Sequence, residues 1–133
     1  MMRTGGCLCG KVRYRLKGDL GNIVDCHCLD CRRSSGAPYV TWATIARSDL
    51  DVTQGALQAV AYADRLRLFA PCCGTQIIFQ ENAAAEWIDV TIASLDDPGA
   101  FRPVKALWLE DHLPWVPLNP QVPGFQQRTV VAK

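Results

Sequence analysis

Apolar and polar side chains alternate along this chain with the period of strands. In Lys11-Val12-Arg13-Tyr14-Arg15-Leu16, the apolar Val12, Tyr14 and Leu16 alternate with basic residues, which predicts a half-buried strand. Gly18 and Gly21 then break the pattern. Pro38 to Ile45, rich in Tyr, Val, Thr, Trp and Ile, predicts a second strand. Leu50 to Thr53 predicts a short third, closed by the turn signal Gln54-Gly55. Leu57 to Ala61 and Arg65 to Phe69 form a predicted pair around Ala63-Asp64. Ile77 to Gln80 and Glu86 to Ala93 follow, the latter setting Trp87, Asp89 and Thr91 against Ile88, Val90 and Ile92.

Helical patterning is nearly absent. Ser94-Leu95-Asp96-Asp97 offers one turn, with Ser94 as cap and Asp97 at the third helical position before Pro98. Past Trp115, the residues Pro117, Pro120, Pro123 and Gly124 predict an extended surface segment, a proline-rich extension over 117–133. The pattern as a whole predicts one all-β domain over 1–133, mostly antiparallel, with metal-binding loops.

Composition narrows the function classes. A chain of 133 residues fits one domain whose core a structural metal would help. Its 14 basic and 13 acidic residues are interspersed, so no basic stripe follows a phosphate backbone and nucleic acid is not an expected partner. The apolar runs are too short for a membrane span. An odd cysteine count without a leader-like segment argues against a disulfide framework and predicts the cytosol.

The seven cysteines change the picture most, because they fall into three short clusters: Cys7 and Cys9, then Cys26, Cys28 and Cys31, then Cys72 and Cys73. Cysteines that only fill a core appear singly. Zinc takes thiolates at about 2.3 Å, in a tetrahedron with edges of roughly 3.8 Å. The C-x-C-x-x-C run from Cys26 to Cys31 supplies three such ligands and leaves a fourth position open, the arrangement of a catalytic zinc. Three thiolates around the ion sum to a formal −1, which blunts it as a Lewis acid toward water. An incoming thiol fits better, since it is soft and leaves its proton readily beside zinc. Cys7-Leu8-Cys9-Gly10 forms a second chelate, with Gly10 allowing the tight turn.

These residues resemble a known family. Gly6-Cys7-Leu8-Cys9-Gly10-Lys11-Val12-Arg13-Tyr14 is similar to the first motif of the glutathione-dependent formaldehyde-activating enzymes, a family that includes the centromere protein V type. Cys26-His27-Cys28-Leu29-Asp30-Cys31-Arg32, with Gly36 and Trp42, resembles the second motif, and Phe69-Ala70-Pro71-Cys72-Cys73-Gly74-Thr75 the third. Ala106-Leu107-Trp108 to Trp115 is similar to the closing segment, so the resemblance spans about 5–116. It implies a zinc-bearing β-tent, with a structural zinc on the first and third motifs and a catalytic zinc on the second. It also implies the joining of glutathione and formaldehyde into S-hydroxymethylglutathione, a carbon–sulfur lyase reaction in reverse. In the family's F-C-x-x-C-G motif the first cysteine falls where this chain has Ala70, and Cys73 matches the second. Cys72 is then either a displaced ligand or a spare thiol.

Other polar residues have plainer readings. Arg32 and Arg33 are a solvated pair, or offset the anionic cluster, or grip a substrate carboxylate. His27 reads as a hydrogen-bonding structural residue turned away from the metal, and His112 as part of a solvated charged turn. Trp42, Trp87, Trp108 and Trp115 read as core. Two functions follow from different classes. One is a zinc-dependent carbon–sulfur enzyme with Cys26, Cys28 and Cys31 as its catalytic site, acting on a glutathione-like thiol and a small aldehyde. The other is a non-catalytic zinc-stabilised module that binds a protein or carries a small thiol.

Overall fold

The computed structural model describes residues 2–128. In chain order its strands are β1 (Arg3–Gly6), β2 (Arg13–Leu16), β3 (Gly21–Cys26), β4 (Val40–Ala46), β5 (Leu50–Gln54), β6 (Gln58–Tyr62), β7 (Arg65–Phe69), β8 (Gln76–Gln80), β9 (Trp87–Thr91) and β10 (Lys105–Leu107). One helix, α1 (Leu29–Ser35), follows β3. Among the described residues the strands form a three-stranded sheet, β1-β2-β5, and a seven-stranded sheet, β10-β3-β4-β9-β8-β7-β6. Every pairing is antiparallel except β10 with β3. The expected mostly antiparallel β fold is what the chain adopts.

The two faces of the large sheet follow from its register, because directly opposed residues share a face. Ala43 lies opposite Val90, Ile45 opposite Ile88, and Val90 opposite Ile78. All five are buried in the main core with Tyr14 and Leu16 of the small sheet. This is the layer between the two sheets. On the other face Cys26 lies opposite Val40, with Trp42 and Thr44 next along β4. The row continues from Thr44 through Asp89, Phe79 and Arg67 to Val60. Cys26 and Arg67 therefore look out from the same face, and α1 follows directly from it.

Five elements differ from the sequence expectation, the first being α1, since no helix was expected over Leu29–Ser35. β1 carries two glycines and no apolar alternation, yet Gly5 is needed there: a Cβ on it would meet the Tyr14 hydroxyl at 2.4 Å. β3 begins at Gly21, read above as a break, and Asn22 sits at φ 49 beside a register shift in the pairing with β4. β10 is only three residues long. The turn expected at Ser94 to Asp97 lies earlier, at Ile92–Ser94, with a second at Pro98–Ala100. Asp96 is instead engaged by Arg13 and by the Thr4 hydroxyl. The proline-rich segment does more than lie on the surface. Ala106 donates to the Pro123 carbonyl at 3.0 Å, and Phe125 donates back to Ala106 at 2.9 Å. The rest of that extension, 129–133, lies outside the described residues.

Tyr14 ties the small sheet to the turn after β9, its hydroxyl 2.7 Å from Ser94 Oγ. Burial pushes its phenol up from 10.0 to about 12. Because the folded value is raised, the neutral ring's contribution is fully present below pH 10 and is lost as pH climbs through about 12. Two units amount to roughly 2–3 kcal/mol. The urea midpoint of the wild type should therefore fall over that window more steeply than that of Tyr14→Phe. Parallel pH profiles for the two proteins would refute the assignment.

Candidate metal centres

Two tight turns build a four-sulfur cluster at the junction of the sheets. Between β1 and β2, Cys7 donates to the Val12 carbonyl at 3.1 Å and Gly10 donates to Cys7 at 3.1 Å. Between β7 and β8, Ala70 donates to Thr75 at 2.9 Å and Gly74 to Ala70 at 2.7 Å. Gly74 holds φ 86, a left-handed conformation that a side chain would strain. Leu8 N–H donates to Thr75 Oγ1 at 2.9 Å and locks one turn to the other. The Sγ atoms of Cys7, Cys9, Cys72 and Cys73 consequently lie within 4.8 Å of one another.

Three of the sulfur spacings match the edge of a zinc tetrahedron. Cys7 lies 3.8 Å from Cys9 and 3.7 Å from Cys72, Cys72 lies 3.9 Å from Cys73, and Cys9 and Cys72 are closer, at 3.3 Å. Edges of roughly 3.8 Å are what zinc–thiolate bonds require. The donor set thus fits the metal. Cys72 and Cys73 are adjacent, and in an extended strand they would diverge. Here they sit in a turn, so Cys72 joins the cluster, while Ala70 is wholly buried and its carbonyl closes that turn. The thiol of Cys73 is lowered, first by its hydrogen bond with Thr75 and then by the Cys9 backbone. Burial opposes ionisation of Cys7, but the Val12 N–H and the thiols of Cys72 and Cys9 leave it lowered.

The second cluster has three sulfurs. Cys26 ends β3, Cys28 caps α1, and Cys31 lies in its first turn. Cys28 Sγ accepts from Cys31 N–H at 3.2 Å, replacing the oxygen that usually caps a helix. Gly36, at φ 71, ends the helix by donating to Arg32 at 2.8 Å. The Sγ atoms of Cys26, Cys28 and Cys31 lie within 4.8 Å of one another, and no fourth donor joins the group among the described residues. Cys26 and Cys31 are buried and Cys28 is half-buried. Hydrogen bonds from Cys26 and Cys31 lower Cys28, while the bond to Cys28 raises Cys26.

Around this cluster pack Val24, Val40 and Trp42, with Phe79, Leu107 and Trp108. His27 was expected to be a hydrogen-bonding structural residue, and one of its ring nitrogens, Nδ1, has no partner among the described residues. The ring is buried and meets Tyr39 at 4.8 Å and His112 edge-on at 5.3 Å. His112 is half-buried rather than solvated, with Nε2 2.7 Å from the Val116 carbonyl oxygen. Arg33 is exposed, whereas Arg32 is partly buried and its Nε lacks a partner. Of the tryptophans, Trp42 is core and Trp108 packs against it, but Trp87 and Trp115 are 51% and 69% exposed. All seven cysteines are free thiols, and no helix is long and apolar enough to cross a membrane.

The sequence reading missed Phe79 and Arg67. Their signal was faint: β7 alternates Arg65 and Arg67 with Leu66 and Leu68, a pattern that any half-buried strand shows.

The chain is similar to known proteins in sequence and in fold. A family model described as glutathione-dependent formaldehyde-activating enzyme matches residues 2–111. A crystal structure of a Rhodobacter sphaeroides protein, a Northeast Structural Genomics target, is similar at a TM-score of 0.60. The two are 25% identical, over 92% of this chain and 99% of that one. Comparison with curated proteins gives no match.

Proposed function

This chain belongs to the glutathione-dependent formaldehyde-activating enzyme family, and from that membership we propose that it is a zinc-dependent carbon–sulfur lyase-type enzyme. It joins the thiol of glutathione, or a thiol like it, to a small aldehyde such as formaldehyde, and runs the reverse cleavage. In this reading one zinc-binding β domain carries two metal sites of different kinds. The observation that supports it is the difference in sulfur count between the clusters. Four sulfurs at Cys7, Cys9, Cys72 and Cys73 can fill a tetrahedron and serve structure. Three at Cys26, Cys28 and Cys31 leave one position for an external ligand.

Zinc on the three-sulfur site would supply a soft centre at which an external thiol is held as thiolate at neutral pH. The protein's own part is to hold Cys28 ionised, to fix the C-x-x-C pair by capping α1, and to wall the cluster with Trp42, Phe79 and Trp108. The chemistry balances without a further reactant. The thiolate sulfur attacks the carbonyl carbon, the π pair moves to oxygen, and that oxygen takes up the proton the thiol gave up.

Cobalt substitution tests the proposal, because sulfur-to-cobalt absorption reports how many sulfurs surround the metal. Glutathione should raise that absorption in the cobalt-loaded protein. No change at saturating glutathione would remove the thiol reaction and leave the non-catalytic zinc module as the reading.

A further inference from the structure

The face of the large sheet that bears Cys26 also carries an arginine with no carboxylate partner among the described residues. Arg67 stands in the row Asp89, Phe79, Arg67, Val60, on the same face as Cys26, Trp42 and Thr44. Its guanidinium carbon lies 4.8 Å from the centre of the Phe79 ring. That ring is 6.1 Å from Trp42 and belongs to the side chains packed on Cys26 and Cys31. Stacking on an aromatic face holds a guanidinium flat while leaving its donors free. Arg67 uses one of them weakly, Nη1 to Gln76 Oε1 at 3.4 Å. Arg67 meets no carboxylate among the described residues, as is true also of Arg3, Arg32, Arg33, Arg47 and Arg102, but of these it is Arg67 that stacks on a ring packed against the three-sulfur cluster.

We propose that Arg67, laid against Phe79 beside the three-sulfur cluster, is the residue that selects a thiol bearing a carboxylate. The inference rests on the thiol reaction put forward above and adds the substrate's anionic group to it. The half-buried guanidinium of Arg67 keeps donors free that a carboxylate can accept from. A thiol placed at the cluster would then have its carboxylate reach along the Trp42–Phe79 wall to Arg67. Glutathione has this form, a thiol with carboxylates at both ends of a short peptide. Uncharged thiols of similar reactivity do not.

The test is calorimetric titration of metal-loaded protein with glutathione, with its diester, in which both carboxylates are uncharged, and with 2-mercaptoethanol. Wild type should prefer glutathione over its diester by roughly tenfold to a hundredfold, the scale of a charge-assisted hydrogen-bonded pair. Arg67→Ala should lose that preference while its affinity for 2-mercaptoethanol stays within about twofold, because the Phe79 wall and the sulfur site persist. Arg67→Lys should recover part of it, a point charge replacing a fork. Should Arg67→Ala weaken all three thiols alike, the arginine only supports packing and the inference falls while the thiol reaction stands. Should wild type bind none of them, both fall.

Discussion

Cys7→Ser should cost this protein most of its stability. Cys7 is the buried member of the four-sulfur cluster, and its Sγ also accepts from Val12 N–H at 3.2 Å. It stands 65 positions from Cys72, yet their sulfurs are 3.7 Å apart. A metal there fastens the β1–β2 turn to the β7–β8 turn, and so the small sheet to the large one. Zinc bound at structural cysteine sites contributes about 10–16 kcal/mol in small peptides, against a total domain stability of about 5–15 kcal/mol. Serine keeps the shape but is a far poorer zinc ligand. Losing even about 4 kcal/mol lowers the melting temperature of a chain this size by roughly 10–25 °C.

The neighbours at the same cluster should rank by burial. Cys72→Ala removes an exposed sulfur and leaves three, with water able to take the vacated place. It should lower the melting temperature less than Cys7→Ser does, and should speed the loss of metal to a chelator. Thermal melts of both variants and of chelator-treated wild type decide the matter. If treated wild type and Cys7→Ser both melt within about 2 °C of untreated protein, the cluster does not hold the sheets together.

How much of this was legible in the residues depends on the element. β2, β4, β5, β7, β8 and β9 announced themselves because a half-buried strand imprints period two, and Ile88 and Val90 fell on the buried face as the alternation required. β1 and β3 were hidden by glycines whose purpose is tertiary: Gly5 makes room for the Tyr14 ring, a contact that no local window contains. α1 was hidden for another reason. In its seven residues only Cys31 is buried, so it shows no apolar stripe, and its cap is a sulfur, which no capping pattern includes. The parallel strand β10 is three residues long and is held by partners far away in sequence, β3 and the returning 123–125 segment.

The candidate site was legible in its sulfurs and illegible in its walls. Spacing alone grouped Cys26, Cys28 and Cys31, since ligands of one ion must be near in space and these are near in sequence. That Cys7 and Cys9 would meet a third-motif pair came from the family resemblance, and the turn at Ala70 to Gly74 was needed to bring in Cys72 beside Cys73. Phe79 and Arg67 on consecutive strands, Tyr39 before β4 and His112 come from three separate stretches of chain, and only the sheet register and the closing segment collect them.

Cys28→Ser should separate chemistry from folding. Cys28 does two jobs, offering a sulfur to the cluster and accepting from Cys31 N–H at the start of α1. Serine is among the preferred capping residues, so the hydroxyl can take over the second job while failing at the first. The protein should stay folded, its melting temperature lower by only a few degrees, roughly what a cap worth about 1 kcal/mol would cost if it were partly lost. Metal content should drop toward the share held by the four-sulfur site. Thiol–aldehyde adduct formation should fall at least about a hundredfold, the upper end of what losing a group behind a metal ligand costs, since this is the ligand itself. Cys28→Ala adds the loss of the cap and should melt below Cys28→Ser with no further loss of activity. Wild-type metal content and activity in Cys28→Ser would show that the three-sulfur cluster is not the reaction site.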